Sequence, residues 1–458
     1  MIERNQNMPS IFESRNTPAM GEYEVVVLGG GPSGIAAAAA AARSGRSTIL
    51  VERYGFLGGS GTAACISDFC GLHANVHGEH QQVVHGIADE IQERLQKMGG
   101  LKEPHLSLRS MIKAQVYDLS AYKIVLDELM LQSGVKLLFH AFGAGVHMGA
   151  DNRIDALFVE SKSGRAAIRG KVFIDCSGDA DIAAWSGAPF EYGDGKGNSL
   201  YPSMKFRINN VDPERAKDGR NLLPKLMEEA EARGRVFPRK GALMRPQINH
   251  IEWVANATLV KNPDGTAVDG TNVLQMTDGE VEGRRQCWDV FEFIKAVTPG
   301  FENAYIVDIA AQLGIRQTRR IHGEYMLTEA DILGCASFDD SIGVNGWPVE
   351  AHTAAGVTIK FANVPHSRGY NQMPYRMILP KKIDNLLVAG RCASMTYDGQ
   401  SSARVSGPCL VMGQAAGTAA DIAIAAGVAP RAIDVGKLQR RLEADGAFLG
   451  REAETASV

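Results

Sequence analysis

The chain has 458 residues, with 48 basic and 52 acidic side chains and a formal net charge of −4 at pH 7. Its hydrophobic content of 45% and charged content of 22% are typical of globular proteins and exclude a largely disordered chain. The nearly balanced charge argues against a nucleic-acid partner or an anionic membrane surface, because proteins that bind either usually carry a basic excess. The length predicts about two or three structural units.

The N-terminal part lacks the features of a targeting segment. Residues 1–21 are polar, without the apolar core of a secretory signal, and we expect them to form a loose tail. The longest apolar run, residues 35–42, is far shorter than the ~20 residues that a membrane-spanning helix needs. Pro408, Gln414 and Asp421 interrupt the small-residue stretch 405–429, which indicates a buried helix. We therefore expect a cytoplasmic protein with no membrane partner.

The first ordered segment predicts a β-turn-α-β unit. The apolar run 23–28 (YEVVVL) ends directly in the glycine-rich turn 29–34 (GGGPSG). An alanine-rich helix follows as far as Gly45, and a second strand over residues 47–51 ends at Glu52. This order of elements is that of a nucleotide-binding unit.

The rest of the chain predicts an α/β fold with an insertion. Residues 84–97 and 113–133 predict helices, and strands at 135–142, 154–160 and 166–174 predict an antiparallel meander. Composition changes after about residue 190, and an apolar strand resumes at 385–389 before a last helix at 408–426. The expected architecture is a discontinuous Rossmann-like domain with a parallel sheet and a meander crossover (22–189 and 384–430), an inserted α+β substrate domain (190–383) and a C-terminal extension (431–458).

The strongest chemical signal is the motif Gly29-x-Gly31-x-x-Gly34 between a strand and a helix. Gly29 permits the tight turn, Gly31 lets a pyrophosphate approach the backbone, and Gly34 lets the helix pack on the strand. The helix N-terminus offers free N–H groups to phosphate. Glu52, 18 residues after Gly34, is placed to accept the hydroxyls of a ribose.

These motifs, with further stretches along the chain, resemble those of the FAD-dependent oxidoreductases in the glutathione-reductase-like superfamily, and more narrowly a bacterial family within it. The stretches are VVVLGGGPSGIAAA, LVERYGFLGGSGT, FIDCSGDADIAAWSGAP, LGIRQTRRIHGEYMLTEADIL, MPYRMILPKKIDNLLVAGR and SARVSGPCLVMGQAAGTAA. They extend from residue 25 to about residue 420, which is nearly the whole chain. The resemblance implies a FAD-binding Rossmann-like domain that carries an inserted substrate domain.

The resemblance also implies which residues bind FAD. They are the pyrophosphate turn (Gly29, Gly31, Pro32, Ser33, Gly34), the adenosine-ribose site (Glu52, Arg53), the ribityl and isoalloxazine site (Gly58, Gly59, Thr62), a second FAD strand end (Gly178, Asp179), the third motif (Gly390, Arg391) and the start of the last helix (Val405, Ser406, Gly407). The N-terminus of that helix would stabilise negative charge on the flavin pyrimidine edge.

A second strand-linked G-x-G-x-x-G that could bind NAD(P)H is missing from the sequence. One dinucleotide site with an inserted domain favours an enzyme that transfers a hydride between a small organic substrate and flavin N5. Two alternatives stay open. The first is a flavin monooxygenase, which would need a route for NAD(P)H. The second is a flavin-binding electron-transfer subunit, which would favour iron–sulfur cysteines, and their spacings are absent from the sequence.

The segment 316–324 (RQTRRIHGE) supplies the catalytic candidates. If it is a strand, Arg316, Arg320, His322 and Glu324 share one face, which suits an anionic substrate or reduced flavin. The alternative is a structural ion-pair ladder that involves Glu324. Weaker polar candidates near the predicted flavin face are His73, His352, Tyr375, Arg376 and Tyr397.

The seven cysteines are scattered and contain no C-x-x-C, so we expect no metal site. Cys65 and Cys70 have the spacing of a redox disulfide, but their offset from Gly59 differs from that of disulfide reductases, and two partly buried thiols are the alternative. The identity of the small-molecule substrate, the electron acceptor and the oligomeric state, a homo-oligomer included, stay open.

Overall fold

The computed structural model describes residues 11–239 and 243–451. The strands up to residue 192 are Ala19–Leu28 (β1), Thr48–Val51 (β2), Asp68–Phe69 (β3), His73–Val76 (β4), Glu79–Gln82 (β5), His105–Ser107 (β6), Ile112–Val116 (β7), Lys136–Leu138 (β8), Phe142–Met148 (β9), Ile154–Ser161 (β10), Gly164–Asp175 (β11) and Phe190–Tyr192 (β12). The helices of this part are Pro32–Arg43 (α1), Ser60–Ala63 (α2), Ile87–Lys97 (α3), Leu119–Gln132 (α4) and Asp181–Trp185 (α5).

The later strands are Phe206–Asn209 (β13), Leu243–Pro246 (β14), Trp253–Asn256 (β15), Tyr305–Ile309 (β16), Arg319–Ile321 (β17), Ser341–Asn345 (β18), Val349–Thr353 (β19), Gly356–Lys360 (β20), Asn371–Pro374 (β21) and Leu386–Val388 (β22). The later helices are Pro213–Ala216 (α6), Gly219–Ala232 (α7), Val273–Val297 (α8), Glu329–Leu333 (α9), Tyr397–Ala403 (α10), Ser406–Ala426 (α11) and Val435–Ala444 (α12).

The central sheet has the strand order β8-β2-β1-β11-β10-β9, and β22 pairs with the last residues of β11. Strands β8, β2, β1, β11 and β22 run parallel, whereas β9, β10 and the first half of β11 form an antiparallel meander. The predicted α/β fold with a meander crossover is confirmed. Because the parallel strands end at one edge, the turns after β1, β2, β11 and β22 meet there.

Helices α1 and α11 pack together beside this sheet through small residues. A Cβ added to Gly413 would lie 2.1 Å from the carbonyl oxygen of Ser33, and one added to Gly417 would lie 2.2 Å from that of Ala37. The two helix backbones therefore touch. Among the described residues, α11 is a helix long and apolar enough to cross a membrane by length and composition, and most of it is buried inside the protein, as in many core helices.

The region between β12 and β22 contains a second sheet, with the antiparallel order β14-β15-β13-β16. Its aromatic side chains pack edge to face, with 5.3 Å between the ring centroids of Trp253 and Phe301 and 6.5 Å between those of Phe206 and Phe291 on α8. This sheet forms the wall of the candidate site that faces the central sheet's turns.

Three local predictions were wrong. The predicted strand 135–142 is two elements, β8 and part of β9, because His140 adopts a left-handed φ of 54° between them. The predicted helix 113–133 starts only at Leu119, where the Asp118 side chain caps it, and its first residues belong to β7. Residues 19–21, which were expected to be part of a tail over 1–21, belong to β1, and residues 1–10 of that expected tail lie outside the described residues. The other domain boundaries stay a prediction.

Candidate active site

The turn after β1 forms the first wall of the site. Gly29 has a φ of +100°, and a Cβ added to Gly34 would lie 1.8 Å from the Gly29 carbonyl oxygen. At Gly31, in contrast, the nearest atom to an added Cβ is 3.8 Å away, because this residue faces open space. Gly31 is also the N-cap of α1, and no side chain caps that helix. The turn is therefore a concave backbone surface with free N–H groups, the arrangement that binds phosphate.

Glu52 lies beside this turn at the end of β2. Its carboxylate accepts hydrogen bonds from the backbone N–H groups of Gly30 at 2.7 Å and Tyr54 at 2.9 Å. Burial raises the pKa of Glu52, although these two bonds oppose the shift. The buried carboxylate lines the cavity next to Arg53, so it can still accept a bond from a ligand hydroxyl.

The turns after β11 and β22 form the adjoining wall. The Arg391 guanidinium donates to the Gly178 carbonyl oxygen at 2.8 Å and pairs with Asp179 at 2.7 Å. A Cβ added to Gly390 would lie 2.5 Å from the Ser33 hydroxyl oxygen, so Gly390 allows the third motif to touch the start of α1. The three motifs that are distant in sequence thus meet at one edge of the sheet.

Some predicted FAD contacts support the wall rather than line it. The Thr62 hydroxyl is 2.8 Å from the Leu57 carbonyl oxygen, and the Gly407 N–H donates to the Cys70 carbonyl oxygen at 2.9 Å. Gly407 therefore does not present its N–H to the cavity as the sequence predicted. The residues of this supporting group are Gly34, Gly58, Thr62, Asp179, Gly390 and Gly407. The lining group is Gly29, Gly31, Pro32, Ser33, Glu52, Arg53, Gly59, Gly178, Arg391, Val405 and Ser406.

The cavity has a volume of about 330 Å³ and continues from this edge to the second sheet. At that end, five cationic side chains line it: Lys205, Arg239, Arg245, Arg316 and Arg404. Arg245 forms an ion pair with Asp68, which also lines the cavity. In the described parts of the chain, no carboxylate lies within ion-pair distance of the other four, which we call the cationic cluster (Lys205, Arg239, Arg316 and Arg404).

Glu350 and His352 lie beside the cationic cluster on β19. The His352 Nε2 atom is 3.2 Å from one Glu350 carboxylate oxygen, and Trp347 Nε1 donates to the other at 3.1 Å. Burial and the nearby Arg316 guanidinium lower the pKa of His352 to about 3, so the ring is neutral. Burial favours the neutral form of Glu350, but the His352 hydrogen bond and the guanidiniums of Arg404 and Arg316 hold its pKa below the ordinary value.

The predicted catalytic residues do not come together. Arg316 lines the cavity, where its guanidinium donates to the Tyr201 carbonyl oxygen at 2.6 Å and to the Ser203 hydroxyl at 2.9 Å. Arg320 is fully buried away from the cavity lining, and its guanidinium pairs with Glu191 on the neighbouring strand β12. His322 is half-buried and also lies outside the lining.

The expectation of one shared face was wrong because the strand is only Arg319–Ile321, and the chain bends before and after it. The predicted ladder with Glu324 is not formed either, since Glu324 pairs with Arg431 at 3.0 Å. Of the weaker candidates, His352 lines the cavity, and four do not: His73, Tyr375, Arg376 and Tyr397.

The two closely spaced cysteines are free thiols. Burial raises the pKa of Cys65 to about 11 and that of Cys70 to about 12. Only a thiolate attacks a disulfide or a substrate readily, so neither group is a good nucleophile near neutral pH. Cys70 lines the cavity and Cys65 is buried in the core beside it. These observations favour two partly buried thiols over a redox pair.

The three motifs at the sheet edge define the class of protein. The open position at Gly31, the uncapped N-terminus of α1 and the buried Glu52 fit the diphosphate and ribose of a dinucleotide. The Arg391 turn and the loop at Val405 line the same cavity as it continues toward the second sheet, and these residues would hold the remaining part of FAD. The site is that of a dinucleotide-binding flavoprotein.

Comparison with known proteins identifies the family. The sequence model described as FAD dependent oxidoreductase matches residues 24–442, and the chain belongs to this family. It is therefore an FAD-dependent oxidoreductase, as the sequence predicted. The chain is also 29% identical over 181 residues to mitochondrial dihydrolipoyl dehydrogenase of Schizosaccharomyces pombe. That match covers 39% of this chain and only 31% of the relative.

The chain is also similar, at low identity, to several solved structures. A geranylgeranyl bacteriochlorophyll reductase-like protein of Thermoplasma acidophilum has a TM-score of 0.47 and 13% identity, over 94% of this chain and 84% of that one. The anhydrotetracycline hydroxylase OxyS of Streptomyces rimosus has a TM-score of 0.45 and 12% identity, over 92% of this chain and 65% of that one. The p-nitrophenol 4-monooxygenase PnpA of Pseudomonas putida has a TM-score of 0.44 and 12% identity, over 95% of this chain and 91% of that one. Similarities this weak carry no conclusion about activity.

Proposed function

We propose that this enzyme transfers a hydride between a small anionic organic substrate and flavin N5. FAD, when bound, supplies the two-electron acceptor or donor. The chain itself would bind and orient the substrate, accept its proton during oxidation and exclude water. The observation that carries the proposal is the continuity of the cavity, which joins the dinucleotide motifs to the cationic end at the second sheet.

Arg316 is the proposed orienting residue. Its guanidinium is held by the Tyr201 carbonyl and the Ser203 hydroxyl, so its remaining N–H groups point in a fixed direction. A planar guanidinium that is already positioned binds a carboxylate or enolate oxygen with little further loss of side-chain entropy. The proposal retains Arg316 as a functional residue, as the sequence predicted, and no longer assigns a catalytic role to Arg320 or His322.

His352 is the proposed proton acceptor for substrate oxidation. Because its Nε2 faces the Glu350 carboxylate at 3.2 Å, that nitrogen carries the hydrogen and Nδ1 carries the lone pair. A substrate anion that neutralises Arg316 would remove part of the repulsion that now lowers the pKa of His352. The imidazole would then become a stronger base when the substrate is bound.

The experiment that tests this function is anaerobic reduction of the purified protein with a panel of small carboxylic and hydroxy acids, followed by the loss of flavin absorbance. We expect at least one acid to bleach the flavin with saturation kinetics, and neutral alcohols of similar size to be poor reductants. Bleaching by NADPH alone, followed by oxygen consumption with substrate, would replace the proposal with the monooxygenase alternative. A protein that purifies without FAD and cannot be reconstituted with it would contradict both.

A further inference from the structure

The cationic cluster carries more positive charge than the protein neutralises. Four basic side chains reach the same end of the cavity, and within the described residues Glu350 is the acidic side chain that acts on the three arginines. The two Glu350 oxygens already accept from His352 and Trp347. Asp68 is committed to Arg245. Several positive charges at this end therefore lack a counter-ion.

Several hydrogen-bond donors of the cationic cluster also have no acceptor among the described residues. Arg239 is only 6% exposed, its Nη1 donates to Asn256 at 2.8 Å, and its Nε has no acceptor. Arg404 Nε likewise has no acceptor. Lys205 is 7% exposed and lines the cavity, and its ammonium makes no hydrogen bond or ion pair with a described residue. Burying charged donors without partners is costly, so such donors in a cavity indicate a bound anion.

The cluster lies away from the part of the cavity that fits the cofactor diphosphate. That part is the turn at Gly31 and the N-terminus of α1, on the central sheet. Lys205 directly precedes β13, and Arg239, between α7 and β14, donates to Asn256 on β15, so both lie beside the second sheet. Arg404, in contrast, follows α10 directly before Val405, and its charged neighbours include Arg391. The charged neighbours that act on Lys205 are Arg316, Arg239 and the two cysteine thiols, not residues of the glycine-rich turn. An anion bound by Lys205 and Arg239 would therefore lie at the substrate end, with Arg404 at its boundary with the cofactor motifs.

We propose that the substrate carries at least two anionic oxyacid groups, carboxylate or phosphate, which the cationic cluster binds together. This inference rests on the proposed function and narrows its substrate class. A monoanion would leave at least two of the four cations without a counter-ion, even with Glu350 counted. A dianion supplies enough oxygen acceptors for the free donors of Arg239, Arg404 and Lys205 while Arg316 orients one of its groups.

Charge regulation at Lys205 agrees with this assignment. Burial, together with the guanidiniums of Arg316 and Arg239, lowers the pKa of Lys205 to about 8, and the thiols of Cys70 and Cys65 oppose this shift. The ammonium is therefore close to losing its proton in the free protein. A bound dianion would hold the proton on Lys205, as expected of a site that is completed by its ligand.

The test compares anion binding to the FAD-loaded protein by calorimetry at constant ionic strength. The probes are succinate and glutarate as dicarboxylates, 2-phosphoglycolate as a phosphate-bearing anion, and butyrate, acetate and inorganic phosphate as small references. We expect one or more of the first three to bind about 10-fold or more tightly than butyrate. Preference for succinate or glutarate identifies two carboxylates, and preference for 2-phosphoglycolate identifies a phosphate with a carboxylate.

Arg239→Gln and Arg404→Gln should each weaken binding of the preferred probe about 10–100-fold, because each removes a charged hydrogen-bond donor. The matched control is Arg233→Gln, which makes the same change at an exposed position. Equal affinity for butyrate and all three dianions would overturn the proposal, and this comparison needs no variant. Loss of FAD from both folded variants would also overturn it, because the cluster would then serve the cofactor phosphates.

The two proposals can fail separately. A protein whose flavin is bleached by a neutral or singly charged substrate, with no preference for dianions, would keep the proposed function and overturn this inference. A protein that binds dianions tightly but is never reduced by them would overturn the proposed function, and the dianion site would stand as a site for another reaction.

Discussion

The two ends of the cavity are built in different ways. At the dinucleotide end, the glycine-rich turn and α1 are contiguous in sequence, and the surface that they offer to a ligand is mainly backbone at strand ends. At the proposed substrate end, Lys205, Arg239, Arg316 and Arg404 come from four separate segments, and it is their side chains that line the cavity. On the proposals above, the cofactor would be bound through local backbone geometry, whereas the substrate would be bound through side chains that only the fold assembles.

The strongest test of the dinucleotide end is a pair of glycine substitutions. Gly31→Leu should leave the protein folded but without bound FAD, because the new side chain meets no protein atom near its Cβ and extends into the space for phosphate. Gly34→Ala should instead destabilise the fold by about 3 kcal/mol or more, since its Cβ would collide with the Gly29 carbonyl. Flavin absorbance and thermal unfolding separate the two results. A yellow Gly31→Leu protein would contradict the proposed phosphate position.

His352→Gln tests the proton acceptor at the substrate end. The amide can keep a hydrogen bond to Glu350 but cannot take a proton, so we expect turnover to fall about 10²–10⁴-fold with FAD retained. The matched control is His322→Gln, because His322 lies outside the cavity lining and should leave turnover unchanged. If the control loses activity and His352→Gln does not, the assignment made from the sequence motif is restored.

Arg316→Gln and Arg320→Gln separate binding from stability within one segment. Arg316→Gln should lower kcat/KM about 10–100-fold, because a charged contact to substrate is lost. Arg320→Gln should chiefly lower the free energy of unfolding, by about 3 kcal/mol, because it breaks the buried side of the pair with Glu191. Measurement of kcat/KM and of the free energy of unfolding by chemical denaturation, on both variants, distinguishes the two roles. Equal kinetic losses in the two would mean that the arginines act as one unit.

The pH dependence of anion binding tests Lys205. Dianion affinity should be constant below about pH 8 and should fall up to about tenfold per pH unit above it, as Lys205 loses its proton. Lys205→Arg should move that fall to higher pH. Stability should change in the opposite direction: the folded pKa lies below the ordinary value, so the unfolded chain binds more protons and the free protein becomes more stable as pH rises above 8.

The smallest expected effect concerns the cysteines. Cys70→Ala and Cys65→Ala should each leave kcat within about twofold, because burial keeps both thiols protonated at the pH of the assay. Steady-state kinetics with the identified reductant provide the measurement. A more than tenfold decrease of kcat in both variants, with FAD content unchanged, would support a redox disulfide between Cys65 and Cys70.

The dinucleotide end and the fold class could be predicted from local sequence patterns. The motif from Gly29 to Gly34, Glu52 after the second strand and the distant Gly390-Arg391 pair each have a local requirement for tight turns or strand ends, and such requirements leave a pattern in the chain. The return of the last parallel strand from the far end was also readable, as an apolar run before Gly390. Family membership followed from these same stretches.

The proposed substrate end could be recognised only after the chain had folded. The two-residue period of a strand would place Arg316, Arg320 and His322 on one face of residues 316–324. The strand β17 has only three residues, so this period does not extend over the segment. Arg320 forms an ion pair with Glu191 instead. Lys205, Arg239 and Arg404 carry no periodic or motif signal, because their common property is where their side chains converge after folding. Charge balance inside a cavity is a sum over distant segments, and no local window of the sequence contains that sum.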